Sequence, residues 1–142
     1  HSCALKMVQM PELVWLPDFL DHPNGALGLL EIVGVAADLA AIARGWSVLG
    51  ARVTHEGEAV AIASATATVR FLTPHAFVER FGVGARPHLP PPCLATCIVR
   101  VAALDITADV LAAAGEPATL TSDGRLLTTR VPELGCAFGF TA

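Results

Sequence analysis

Leu29 to Val35 of this chain is an apolar run, LLEIVGV, that carries one carboxylate, Glu31. Strand alternation puts Glu31, Val33 and Val35 on one face, so the acid shares its side with two core-type residues. A carboxylate in apolar surroundings has a raised pKa unless it is paired. Three readings of Glu31 follow: a metal ligand or general base, half of an ion pair with an arginine, or an acid facing solvent. Cys97, with Cys93 four residues before it, is either a reactive thiol or soft metal ligand, or an ordinary buried cysteine. No histidine stands near enough in sequence to complete a four-ligand zinc site. His22, His55, His75 and His88 are scattered over connector, strand and loop. The chain has no Gly-rich phosphate loop, Ser-His-Asp pattern or His-rich metal box.

The elements that position these residues are legible in outline. Pro11 and Pro17 keep MPELVWLPDFL out of a regular helix or central strand, so residues 1–27 read as a connector anchored by Trp15, Leu16 and Phe19. Within it CALKMVQ is strand-like. Asn24-Gly25 is a tight turn. A strand over 29–35 follows, then a helix capped by Asp38 that runs to about Leu49 and stops at Gly50. Leu39, Ile42, Trp46 and Leu49 recur at helical spacing and form one packing face. Strands over 52–55, 60–65 and 68–72 complete the unit, a short helix covers 75–81, and Gly82 to Pro92 has the composition of a linker.

The pattern then recurs at a period of about 66 residues. Val33-Gly34-Val35-Ala36-Ala37 is echoed by Val99-Arg100-Val101-Ala102-Ala103, Gly50 by Gly115, and Gly57 by Gly124. In the second copy a strand over 94–101 precedes a helix capped by Asp105 and ending at Ala114-Gly115. Strands over 119–121, 126–131 and 136–140 follow, with Asp123-Gly124 as a hairpin turn. The expected fold class is α+β: two βαβββ modules, 28–82 and 94–142, joined by a linker at 83–93, forming a cupped mixed sheet with helices outside.

Composition narrows the function classes. The chain has 142 residues, 54% of them hydrophobic and only 15% charged, with a mean hydropathy of +0.59. That apolar excess points to an oligomer, such as a homodimer, or to a partner segment that covers exposed surface. Asp38, Arg44 and several glycines interrupt the longest apolar run before it could span a bilayer, so no membrane insertion is expected. The net charge of −4 and absence of basic runs give no footprint for nucleic acid. Four cysteines without a CxxC pair, and no signal peptide, suggest a reducing, cytoplasmic setting. The sequence starts at His1, which leaves room for an upstream segment.

The duplicated βαβββ order, the opening EIVGVAADL, the closing strand GCAFGF and the connector PELVWLPDFLDHPNGA resemble the vicinal oxygen chelate superfamily. That group includes glyoxalase I, extradiol dioxygenases and bleomycin resistance proteins. The resemblance covers residues 28–142 and implies that CALKMVQ is the last strand of a preceding domain. In the family each module supplies one metal ligand from its first strand and a Glu from its last. Carried over by position, the first-module slots are Glu31 and Arg70, and a cation cannot be a ligand. The second-module slots are Cys97, or Thr96 in the alternative register, and Gly139. The resemblance therefore implies a degenerate metal site and no cofactor. Glu31, Arg70 and Cys97 are left as ligand-binding candidates for a small molecule, in a binding module or a cofactor-free enzyme. Two alternatives stand beside it. One is a metal-dependent lyase, isomerase or dioxygenase whose divalent ion is completed by another domain or subunit. The other is a structural domain that pairs with an upstream catalytic one.

Overall fold

A computed structural model describes residues 21–116, 118–121, 124–128, 131 and 135–142. Strand β1 (Ala26–Val35) leads into α1 (Leu39–Val48), β2 (Val53–His55), β3 (Ala59–Ala63) and β4 (Thr68–Leu72). Helix α2 (Pro74–Phe81) and a 3-10 turn (Val83–Ala85) follow. The second unit is β5 (Cys93–Val101), α3 (Leu104–Ala113), β6 (Ala118–Leu120), β7 (Leu126–Thr128) and β8 (Ala137–Thr141). All eight strands form one mixed sheet in the order β2-β3-β4-β1-β5-β8-β7-β6. Each module places its last strand parallel to its first, and β1 joins β5 antiparallel at the centre. The expected α+β fold of two βαβββ units in a single sheet is what the chain adopts. The connector residues 1–20 and Asp123 of the hairpin turn lie outside the described residues.

The local signals explain most of the boundaries. Asp38 caps α1, its carboxylate accepting from the Ala41 N–H at 2.9 Å. Thr73 caps α2 and Pro74 takes its first turn, where a missing N–H costs nothing. The turn before β1 is tied twice: the Gly25 N–H donates to His22 O at 2.8 Å, and the Ala102 N–H donates to Gly25 O at 2.9 Å. Gly25 sits at φ +69°, a conformation that glycine alone adopts freely. Asp105 does not cap α3. The N-cap is Ala103, with no side-chain bond, and Asp105 lies inside the first turn, where its carboxylate accepts from the Ile106 N–H at 2.9 Å.

Two helices lie on one side of the sheet. Leu39, Ile42 and Trp46 of α1 pack on Val60, Ile62 and Phe71, and Leu104, Ala108 and Leu111 of α3 pack on Val101, Leu126 and Phe140. Leu49, expected on the packing face of α1, is instead the C-cap and is exposed. Helix α2 takes the opposite side. Its Phe77 and Phe81 are buried with Val33, Val35, Leu72 and Ile98, so the inner face of the cup carries a plug. At the junction of the two modules, Phe71 leans over Gly34 so closely that a Cβ there would lie 2.5 Å from its ring. Among the described residues no helix is long and apolar enough to cross a membrane.

Candidate functional site

Parallel pairing sets Glu31 of β1 opposite Thr68 of β4 and Val33 opposite Arg70. Paired residues share a face, so Arg70 stands on the side of the sheet that bears Glu31, one step along. Its Nε donates to Glu31 Oε1 at 2.5 Å. A second guanidinium arrives from α2: Arg80 Nη2 donates to Glu31 Oε2 at 2.7 Å, and Nη1 reaches Oε1 at 3.4 Å. Each carboxylate oxygen thus faces an arginine. Arg70 also donates through Nη1 to Glu56 in the β2–β3 turn. The Arg80 guanidinium carbon lies 4.8 Å from the Phe81 ring centre, within cation–π range.

The side chain of Glu31 is 10% exposed, against 22% for Arg70 and 26% for Arg80. Burial by itself would push the Glu31 carboxyl up. Hydrogen bonds and charge from Arg80 and Arg70 overcome that and hold it below the usual glutamate range. For Arg70, burial works against the charged form, and its bonds to Glu31 and Glu56 reverse this and raise its pKa. A carboxylate kept ionised and bonded at both oxygens is a poor general base, and three arginine hydrogen bonds take up most of its roughly four lone-pair sites. Of the three sequence readings of Glu31, the ion pair is the one the geometry realises.

Arg80 was not among the candidate residues, although the sequence held a signal for it. In HAFVERF, Phe77 is followed at helical spacing by Arg80 and Phe81, so a cation rides on the apolar stripe of α2. A cation on a buried stripe needs an anion opposite, and Glu31 is that anion.

The remaining slots separate. Cys97 pairs with Ile32, and Thr96 with Val33, so it is Thr96 that shares the face of Glu31. Cys97 points to the other side, with Phe138 of β8. The expectation that Cys97 joins Glu31 and Arg70 is therefore corrected. Thr96 lies 65 residues after Glu31, the spacing that also relates Gly50 to Gly115 and the helix starts Leu39 and Leu104, whereas Cys97 lies 66 after it. Burial raises the Cys97 thiol, and Cys136 nearby raises it further, so Cys97 is protonated and poorly nucleophilic at neutral pH. The Thr96 hydroxyl is fully buried with no hydrogen-bond partner among the described residues. At Gly139, opposite Ile98 on β5, a Cβ would lie 2.5 Å from Ile98 Cδ1.

These residues fail the test for the family's divalent ion. One slot is an engaged carboxylate, one a cation, one a lone hydroxyl, and one has no side chain. Beside them, Arg80, Ile98, Arg125 and Gly139 line a cleft of about 10 Å³ on the same face, room for about one water molecule. Among the described residues, one group with three metal-type donors exists elsewhere, on the rim: Glu58, His75 and Glu79, whose donor atoms all lie within 4.8 Å of one another. All three are exposed, and His75 Nδ1 stands 3.6 Å from each carboxylate, in a surface grouping of a kind common without an ion.

No protein-family model matches the chain, and no curated protein sequence does. Solved structures do match. Methylmalonyl-CoA epimerase from Mycobacterium tuberculosis aligns with a TM-score of 0.54 at 17% identity, covering 82% of this chain and 87% of that one. A second methylmalonyl-CoA epimerase gives 0.52 at 14% identity, over 82% and 94% of the two chains. A glyoxalase/bleomycin resistance protein/dioxygenase superfamily member from Vibrio splendidus 12B01 gives 0.51 at 15%, over 80% and 96%. At such identities the likeness speaks for architecture. The chain has the vicinal oxygen chelate fold.

Proposed function

We propose that the chain is a small-molecule-binding domain of the glyoxalase type that works without a metal ion at the centre of its sheet, and that the group it recognises is a compact anion such as a carboxylate. The observation that carries this reading is the clamp of Arg70 and Arg80 on Glu31. Paired guanidinium groups converging on one carboxylate are the arrangement by which proteins bind carboxylate ligands. Here Glu31 is the carboxylate, supplied by the chain itself. A ligand anion entering the cleft beside Arg80 and Arg125 competes with Glu31 for Arg80, and α2 shifts to admit it, since the closed cleft holds about one water.

The test has two arms. After incubation with manganese, cobalt or zinc and desalting, metal analysis of the intact protein is expected to find no stoichiometric ion that depends on Glu31. Calorimetric titration with a series of small mono- and dicarboxylates is expected to give saturable binding that Arg80→Met abolishes. A stoichiometric ion lost in Glu31→Ala overturns the metal-free reading and favours the metal-dependent alternative. Failure of every carboxylate to bind the folded protein overturns the assignment of an anionic ligand.

A further inference from the structure

The cleft that holds Arg80 and Arg125 is not polar throughout. Its walls include Phe81, Ile98 and Leu127, so a cationic end and an apolar end share one opening. Phe81 belongs to α2, as does Phe77. The two ring centres stand 5.0 Å apart in the concavity of the sheet, buried with Val33, Ile98 and Ala137. Helix α2 comes after the helix and all four strands of the first module. The two βαβββ modules therefore form the concave face without it, and α2 fills that face rather than building it. It fills it imperfectly. Thr96 pairs with Val33 of β1 and Ala137 of β8, two members of the cluster packed by Phe77 and Phe81. Its hydroxyl is buried with no hydrogen-bond partner among the described residues. A surface that met only phenyl rings would be more stable with valine there, because an unpaired buried hydroxyl carries a cost that a methyl of the same shape does not.

We propose, resting on the anion reading above, that the ligand is an amphiphilic carboxylate with an apolar body about the size of a phenyl ring, and that Glu31 and Phe81 stand in the places its two ends take. The chain presents both ends to itself: a carboxylate on Arg70 and Arg80, and next to Arg80 an aromatic ring, 4.8 Å from the guanidinium carbon. On binding, the ligand carboxylate takes Arg80 from Glu31, and the apolar body lies against Ile98 and Leu127 in place of the Phe81 ring. Helix α2 swings outward about Gly82, whose φ of +78° ends the helix at a sharp joint. Glu31 keeps its bond to Arg70, so no buried carboxylate is left without a cation.

Calorimetric titration of the intact protein with acetate, propionate, phenylacetate and 3-phenylpropionate tests this. Each phenyl acid is expected to bind at least about tenfold more tightly than its unsubstituted acid, through the added apolar burial. Arg80→Met is expected to abolish binding of all four. Phe81→Ala, which removes the ring that competes with the ligand body, is expected to tighten phenylacetate several-fold and acetate less. Far-UV dichroism checks each variant, and Phe81→Leu replaces Phe81→Ala if that protein unfolds. Val48→Glu, at an exposed site on the outer helix α1, is expected to change none of the affinities. Acetate bound as tightly as phenylacetate overturns this inference and leaves the anion reading standing. Phenyl acids that bind in spite of Arg80→Met, or that are indifferent to the Phe81 variants, also overturn it, since the ligand then lies elsewhere. If no carboxylate binds the folded protein, the anion reading itself falls and takes this inference with it.

Discussion

Removing the Glu31 carboxylate tests the clamp most directly. In Glu31→Ala the Arg70 and Arg80 guanidinium groups, 22% and 26% exposed at the side chain, face each other with Glu56 as the remaining acid on Arg70. Breaking a fully buried pair from one side costs about 3–5 kcal/mol. Partial hydration of both arginines and the surviving Glu56 contact reduce this to about 2–3 kcal/mol, or a fall in Tm of roughly 7 °C for a chain of this size. Glu31→Gln keeps one acceptor oxygen and is expected to lose about 1–2 kcal/mol. The pH dependence fixes the mechanism. Because the native carboxyl titrates below its ordinary value of 4.5, its contribution is complete above that value and disappears as the pH falls through the lower native one. The stability difference between parent and Glu31→Gln, followed by urea denaturation, should therefore be flat at neutral pH and shrink on acidification. A cycle with Arg80→Met should show a coupling of at least about 1 kcal/mol. A Glu31→Ala protein within about 0.5 kcal/mol of the parent, or a difference that grows toward acid pH, refutes the reasoning.

Three further outcomes follow from close contacts elsewhere. Gly34→Ala drives a Cβ to 2.5 Å from the Phe71 ring and 3.1 Å from Cys93 O, and is expected to destabilise by about 1–3 kcal/mol in chemical denaturation. Thr107→Val keeps the shape but removes the buried hydroxyl that lies 2.9 Å from both Asn24 O and Ala103 O. Its expected cost is about 1–2 kcal/mol, with faster amide exchange at Gly25 and Ala26. Cys97, half-buried with a raised thiol, should react with a disulfide reagent at pH 7 more slowly than a free thiol, and faster once denaturant is added.

The two modules were legible because their signals are local and repeated: Asp38 before α1, Gly57 and Gly124 in turns, and β-rich runs at nearly one period. The Glu31–Arg70 pairing was legible for a related reason, since once first and last strands are neighbours, equivalent positions meet. Cys97 was misplaced by a single residue. The repeat's own anchors differ by one, Val33 and Val99 standing 66 residues apart but Gly50 and Gly115 65, and a slip of one along a strand exchanges the two faces, so Thr96, the alternative register, is the residue that faces Glu31. The role of Arg80 depended on a choice that local sequence does not make, namely which side of the sheet α2 occupies. Once α2 turns inward, Phe77 and Phe81 fill the cup and Arg80 has to meet Glu31. On the proposed reading, the same step determines what a ligand would have to do. Entry beside Arg80 would require α2 to give way, against the packing of Phe77 and Phe81 and the Arg80–Glu31 ion pair among other contacts. If the proposed anion binds there, its affinity and the stability of α2 on the sheet are opposed, and a substitution that weakens Phe77 packing should loosen the fold while easing access to the arginines.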